Sequence, residues 1–96
     1  MEILWYSKAE QDLNDNISYI AKGSPQNALL VLDKLLKFTD SLVLFPYKYP
    51  KEPAYNREDI RFAIKWTFKI IYRVTPDILY ILRIFNTRQS PHKINQ

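Results

Sequence analysis

The chain has 96 residues, of which 47% are hydrophobic and 25% are charged, a composition typical of globular domains rather than of disordered or fibrous proteins. This length suits a single core, so we expect residues 1–96 to form one domain. Lys and Arg (14) exceed Asp and Glu (10), and the net charge of +4 favours acidic partners without specifying them.

The same composition excludes several classes of protein. Cysteine is absent, which rules out disulfides and thiolate metal sites and is compatible with a cytoplasmic location. No stretch approaches the ~20 apolar residues that a membrane-spanning helix needs. The N-terminus lacks the basic start of a signal peptide, so we expect a cytoplasmic protein without a membrane partner.

The first half of the chain predicts a strand followed by a helix. Residues 3–6 are β-prone, and Ser7 with Glu10 has the spacing of a capping box at a helix start. Ala9 and Leu13 begin an apolar stripe at helical spacing that continues to residue 21. Asp12 falls on the opposite face, where we expect it to be solvated.

A second helix is predicted directly after the first. Gly23 is expected to end helix 1 in a left-handed conformation, and Ser24 with Pro25 supplies an N-cap and a first-turn proline. Helix 2 should cover residues 25–44. Its apolar positions are too widely distributed for one contact stripe, so it should contact both helix 1 and a sheet.

The second half predicts a loop and three strands. Residues 45–53 contain three prolines, so they form either a connector over the core or a recognition loop that places Lys48 and Lys51 near a phosphate. Residues 59–64, 67–74 and 78–85 are expected to form an antiparallel meander, and residues 78–82 should lie inside the sheet because they are apolar at every position. The turn at Lys65 and Trp66 lacks a register signal, which leaves the direction of Arg61 and Lys65 open.

These elements predict an α+β fold of order βααβββ, in which the helical hairpin packs on one face of a small, mainly antiparallel sheet. The other face is then expected to carry cations suited to phosphate or carboxylate. The alternative is that these cations only keep the face soluble and pair with Glu52, Glu58 or Asp59. The candidate cations are Arg61, Lys65, Lys69, Arg73, Arg83 and Arg88.

The order and spacing of several motifs resemble the RelE/ParE superfamily of toxins from bacterial type II toxin–antitoxin systems, also described as plasmid-stabilisation proteins. The motifs are Ala9-Glu10-Gln11-Asp12-Leu13, Tyr19-Ile20-Ala21, Ser24-Pro25, Ile60-Arg61, Lys69-Ile70-Ile71-Tyr72-Arg73-Val74, Ile81-Leu82-Arg83-Ile84 and Thr87-Arg88. The resemblance implies a toxin that a cognate acidic antitoxin neutralises by covering the sheet and helices. It leaves a homodimer open and implies no cofactor.

The superfamily implies two different activities. RelE-like members are ribosome-dependent mRNA endonucleases, and the resemblance places Lys69 and Arg88 at two of their basic positions. Ile94 stands where those nucleases carry a catalytic tyrosine, so His92 is the remaining candidate for proton transfer. Arg61, Lys65, Arg73 and Arg83 are then candidates for nucleic-acid or partner binding.

ParE-like members instead inhibit DNA gyrase. The corner at Ser24 and Pro25 and the long helical hairpin favour this branch, so a gyrase inhibitor without enzyme activity is our leading hypothesis. An mRNA endoribonuclease that acts on the ribosome, and a non-toxic binding module of the same fold, are the alternatives. No phosphate-binding glycine loop or cluster of metal ligands is found in the sequence.

Overall fold

A computed structural model describes residues 1–88 of the chain. The element order confirms the predicted βααβββ arrangement. The elements are β1 (Glu2–Trp5), α1 (Ser7–Gly23), α2 (Pro25–Ser41), β2 (Ile60–Lys65), β3 (Phe68–Val74) and β4 (Ile78–Asn86).

The four strands form one mixed sheet in the order β1-β4-β3-β2. Strands β2, β3 and β4 are an antiparallel meander, and β1 pairs with β4 in parallel. The prediction that residues 78–82 lie inside the sheet is therefore confirmed. A continuous apolar run suits this position, because Leu79 and Ile81 are buried in the main core while Tyr80 and Leu82 belong to an apolar cluster on the other face.

The helical hairpin packs on one face of the sheet and forms the main core there. Leu35 of α2, Ile70 and Tyr72 of β3, and Ile81 of β4 are fully buried in this core.

The opposite face of the sheet, called the open face below, is also apolar at its centre. A second cluster of Ile60, Ile71 and Leu82 lies there, with Phe62, Tyr80 and Phe85 packed against it. The expectation of a face dominated by cations was wrong in this respect.

Two predictions about the ends of α1 were wrong. Ser7 is the first residue of the helix, and Tyr6 is the N-cap, without a hydrogen bond from its side chain. The Tyr6 N–H donates to Ile81 O of β4 (2.9 Å), so the helix begins directly after the last residue bonded to the sheet. Gly23 stays helical and does not adopt a positive φ. The chain instead turns at Ser24, which is extended at φ −158° and donates its N–H to Ile20 O.

Helix α2 ends at Ser41, three residues before the predicted position 44. The Thr39 hydroxyl donates to Leu36 O (2.9 Å), and the Ser41 hydroxyl donates to Phe38 O (2.6 Å). The second bond gives a partner to Phe38 O, because the N–H of Leu42, which a longer helix would pair with it, donates to Thr39 O instead at 3.1 Å. The following residues 45–53 belong to no helix or named strand, and only Lys51 forms an isolated β-bridge, with Arg61, which confirms that they are a loop.

Ser24 is the N-cap of α2, as predicted, and its Oγ accepts a hydrogen bond from Asn27 N at 3.1 Å. We expect Ser24→Ala to lower the free energy of unfolding by about 1 kcal/mol, because that N–H loses its partner. Urea unfolding measures the loss. Ser18→Ala, at an exposed site within α1, is the control and should change stability little. Equal losses in both variants would contradict the capping role.

The β2–β3 register decides the directions that the sequence leaves open. Ile60 pairs with Arg73, Phe62 with Ile71, and Lys65 with Phe68. Alternate residues of a strand point to opposite faces, so Arg61 and Lys65 share the helix side with buried Ala63. Trp66 lies in the tight turn between β2 and β3 and has a φ of 55°. Glycine or asparagine is the usual residue for a positive φ in such a turn, and neither is present there to predict it.

Candidate functional site

Lys69 lies on the open face in a close ion pair with Glu52. Its Nζ is 2.9 Å from Glu52 Oε2 and 3.2 Å from Oε1, and it lies 4.7 Å from the centroid of the Phe62 ring. Glu52 is only 4% exposed and is held at the sheet edge by the bond from its N–H to Ile60 O. The charge of Lys69 is therefore satisfied within the chain.

Arg73 is paired in the same way on the neighbouring part of the open face. Its Nε donates to Asp59 Oδ2 at 3.1 Å, and Arg57 donates to both oxygens of the same carboxylate. Partial desolvation acts to raise the pKa of Asp59, but the hydrogen bonds from Arg57 and Arg73 and the charge of Arg57 outweigh it and lower that pKa below 3.8. Asp59 is thus ionised, and it links the loop before β2 to β3.

This lowered pKa predicts an acid-sensitive contribution to stability. Because the folded pKa lies below the unfolded value of 3.8, the contribution is complete above pH 3.8 and is lost as pH falls through the folded pKa. We expect Asp59→Asn to be less stable than the parent at pH 6, with the difference shrinking below pH 4. Thermal unfolding from about pH 6 to pH 2 measures this, and a difference that does not depend on pH would contradict it.

Arg83 pairs with Asp12 of α1, a contact that the sequence analysis missed. Arg83 Nε and Nη2 lie 2.7 and 3.1 Å from the two Asp12 oxygens. Asp12 Oδ2 also accepts a hydrogen bond from the Ile84 N–H at 3.1 Å. Ile84 lies beyond Ile81, the last residue of β4 that pairs with β1. The hydrogen bond from Arg83 to Asp12 raises the pKa of the guanidinium, and this outweighs partial desolvation, which acts to lower it. The expectation that Asp12 is solvated was therefore wrong.

Arg61 has a structural position on the helix side. Its guanidinium donates to Glu58 O (2.9 Å), to Glu58 Oε2 (2.8 Å) and to Tyr49 O (3.1 Å). The Tyr72 hydroxyl donates to Pro46 O at 2.6 Å, and burial raises the pKa of Tyr72 to about 12. These bonds hold the loop after α2 against the sheet and use three of the five N–H donors of Arg61.

Lys65 and Arg88 are the two candidate cations without a carboxylate partner among residues 1–88. Lys65 lies on the helix side, 5.7 Å from the ring centroid of Phe38. Arg88 is exposed and follows Thr87, whose N–H and hydroxyl donate to Thr67 O. His92 lies outside the described residues.

The six candidate cations are thus not gathered into one site. Lys69, Arg73 and Arg83 bind internal carboxylates on the open face and its edge, and Arg61 and Lys65 are on the other side. The pairs with Glu52, Glu58 and Asp59 are those that the sequence analysis gave as the alternative.

In the described part of the chain, no three His, Asp or Glu residues are placed to hold a metal ion. No helix there is long and apolar enough to cross a membrane.

Comparison with solved structures finds the same fold in another protein. A solved chain described as the chromosomal ParDE TA system from P. aeruginosa matches with a TM-score of 0.71 and 24% sequence identity. The match covers 90% of this chain and 95% of that chain, so the two share the α+β fold. At this level of identity the match shows the fold and no more.

The family follows from the sequence itself. The family model described as ParE toxin of type II toxin-antitoxin system, parDE, matches residues 3–91. The chain therefore belongs to the ParE toxin family. Among proteins with curated descriptions, none matches it.

Proposed function

We propose that this chain inhibits DNA gyrase and that a cognate acidic antitoxin neutralises it in the cytoplasm. The observation that carries the proposal is the match of the ParE family model to residues 3–91, nearly the whole chain. Gyrase is the target that the sequence resemblance implies for the ParE-like branch. The net charge of +4 supports an acidic partner.

The ion pairs of Lys69 and Arg73 weigh against mRNA cleavage, although Arg88 has no carboxylate partner among residues 1–88. Cleavage by the 2′-hydroxyl needs free cations for the developing phosphorane charge and a group that accepts a proton. Lys69 already binds Glu52 at 2.9 Å, and Arg73 already binds Asp59 at 3.1 Å. A phosphate would have to displace both carboxylates before these cations became available to it.

The decisive experiment is a supercoiling assay with purified gyrase, relaxed plasmid and increasing amounts of this protein. We expect loss of supercoiled product, and recovery when the cognate antitoxin is added first. Full supercoiling at saturating toxin would contradict the proposed target. The antitoxin alone, without toxin, is the control for direct effects on gyrase.

The two alternatives give different results in parallel assays. An mRNA endoribonuclease would produce codon-positioned cuts on translating ribosomes, and the cuts would disappear in Lys69→Ala or Arg88→Ala. A non-toxic binding module would leave growth unchanged on induction without antitoxin. Growth arrest with intact mRNA and blocked supercoiling is the combination that we expect.

A further inference from the structure

A continuous series of contacts between cations and rings runs from the β2–β3 turn to the loop after α2. Lys65 Nζ lies 5.0 Å from the ring centroid of Trp66 and 5.7 Å from that of Phe38. Phe38 contacts Tyr49 edge-on with 6.2 Å between centroids, and Lys48 Nζ lies 5.4 Å from the centroid of Tyr49. These five residues, Trp66, Lys65, Phe38, Tyr49 and Lys48, are called the cation–aromatic rim below.

The charges of the rim are available to a partner. Neither Lys48 nor Lys65 has an ion pair with any carboxylate side chain of residues 1–88, whereas Lys69, Arg73 and Arg83 each have one. Residues 89–96 contain no Asp or Glu. A cation over an exposed ring gains only about 0.5–1 kcal/mol, so both ammonium groups can still bind a carboxylate strongly.

Large apolar side chains lie exposed beside these charges. Leu44 is 69% exposed, Phe45 is 71%, Tyr47 is 55%, and Trp66 is 50%. Residues 44–48 line an open pocket of ≈ 540 Å³. Leu44, Phe45 and Tyr47 line this one pocket with Lys48, and such a group indicates an interaction surface, because scattered single exposures are the usual case.

The apolar loop is held in place by the sheet. The Tyr72 hydroxyl fixes Pro46 O at 2.6 Å, and the Arg61 guanidinium donates to Tyr49 O at 3.1 Å while lying 5.1 Å from the centroid of the Tyr47 ring. A surface that is already ordered loses little conformational entropy when a partner binds. These internal bonds therefore favour binding by the exposed side chains.

We propose that the cation–aromatic rim, together with Leu44, Phe45 and Tyr47, binds a protein segment in which Asp or Glu side chains alternate with large apolar ones. The carboxylates would pair with Lys48 and Lys65, which lies beside Trp66, and the apolar side chains would cover Leu44 and Phe45. We name the antitoxin as the protein that supplies this segment, and only this part of the inference rests on the proposed function.

The contacts favour a peptide over a nucleic acid as the occupant. Phosphates would pair with the two lysines, but stacked bases need open ring faces. Arg61 already lies over the Tyr47 ring and Lys65 over the Trp66 ring. Leu44 and Phe45, the most exposed side chains of the loop, gain from apolar contact and not from a phosphate.

The test is a titration of the purified protein with a synthetic peptide of six Glu-Leu repeats, followed by NMR of the two tryptophan indole N–H signals. The signal of Trp66 should shift, while that of Trp5, which packs against the main core, should stay in place. The double variant Lys48→Gln/Lys65→Gln should bind the peptide about tenfold more weakly. Lys8→Gln/Lys34→Gln, at exposed sites without ion pairs in the described residues, is the charge-matched control and should bind as the parent does.

Three results would overturn the proposal: no shift of Trp66, equal weakening in the two double variants, or a shift of Trp66 by single-stranded oligo-dT at lower concentration than by the peptide. A Lys-Leu peptide of the same length should leave Trp66 unchanged, which checks that apolar contact alone is insufficient. The titration needs neither gyrase nor antitoxin. Failure of the proposed function and failure of this surface therefore appear in separate experiments.

Discussion

Replacing Asp12 by alanine is expected to lower the free energy of unfolding by about 3 kcal/mol, because it removes three hydrogen bonds to one partly buried carboxylate. Arg83 would lose both of its bonds to Asp12, at 2.7 and 3.1 Å, and Ile84 N would lose its acceptor. This contact joins α1 to β4 where β1 no longer pairs with that strand. Its loss should therefore loosen the packing of the hairpin on the sheet.

Urea unfolding followed by circular dichroism measures this effect. Asp15→Ala is the matched control, because Asp15 is an exposed carboxylate of the same helix, and we expect it to change stability by less than about 0.5 kcal/mol. A double-mutant cycle with Asp12→Ala, Arg83→Met and the variant that carries both changes measures the interaction energy between Asp12 and Arg83. A loss in Asp12→Ala no larger than in Asp15→Ala would show that the contact contributes nothing.

The second large effect is expected at the pair of Lys69 and Glu52. Lys69→Met keeps most of the side-chain volume but leaves the Glu52 carboxylate, 4% exposed, without its cation. Breaking a buried pair from one side costs about 3–5 kcal/mol, whereas replacing both partners by uncharged residues is often close to neutral. We expect a loss of about 3 kcal/mol in Lys69→Met and recovery of most of it in Glu52→Gln/Lys69→Met.

The same variants test the function of this pair. Under gyrase inhibition, the double variant should keep the potency of the parent in the supercoiling assay, because the pair serves stability only. Under the nuclease alternative, the double variant should be inactive although it is folded. Lys37→Met, which removes a cation from an exposed pair with Asp33, is the control for the loss of one charge. Equal unfolding losses in Lys37→Met and Lys69→Met would contradict the buried pair.

The variants also bear on why the open face carries cations. Each of Lys69, Arg73 and Arg83 is held by a carboxylate from a different segment: the loop at Glu52, the turn at Asp59, and helix α1 at Asp12. These pairs join the sheet to the three segments that surround it. On this interpretation the cations of the open face position the loop and the hairpin, whereas Lys48 and Lys65 of the cation–aromatic rim are among the charges that stay free for a partner.

Much of the fold could be predicted because it depends on local chemistry. Periodicity at α1, the N-cap at Ser24, the prolines of residues 45–53 and the apolar run of β4 act over a few residues, and each indicated the element found. Errors arose where a neighbouring element competed. Ser7 does not cap α1, because the backbone of Tyr6 is still bonded to β4.

The candidate site could be predicted only in part. The pairs of Lys69, Arg61 and Arg73 with Glu52, Glu58 and Asp59 were anticipated as an alternative, since these carboxylates lie in the segment next to β2. The pair of Arg83 with Asp12 was not, because 71 positions separate the two residues and helical spacing alone assigns Asp12 to solvent. The rim was missed for the same reason, since it combines residues from α2, the loop and the β2–β3 turn.

The amino-acid sequence alone determined the class of fold, the order of its elements and the family, since these follow from patterns repeated along the whole chain. Only the tertiary structure decided which cations are free. A cation is free when no carboxylate comes within bonding distance of it, and that depends on register, on the turn at Trp66 and on the approach of α1 to β4. Contacts between distant residues set the electrostatics of this small protein, and no local pattern encodes them.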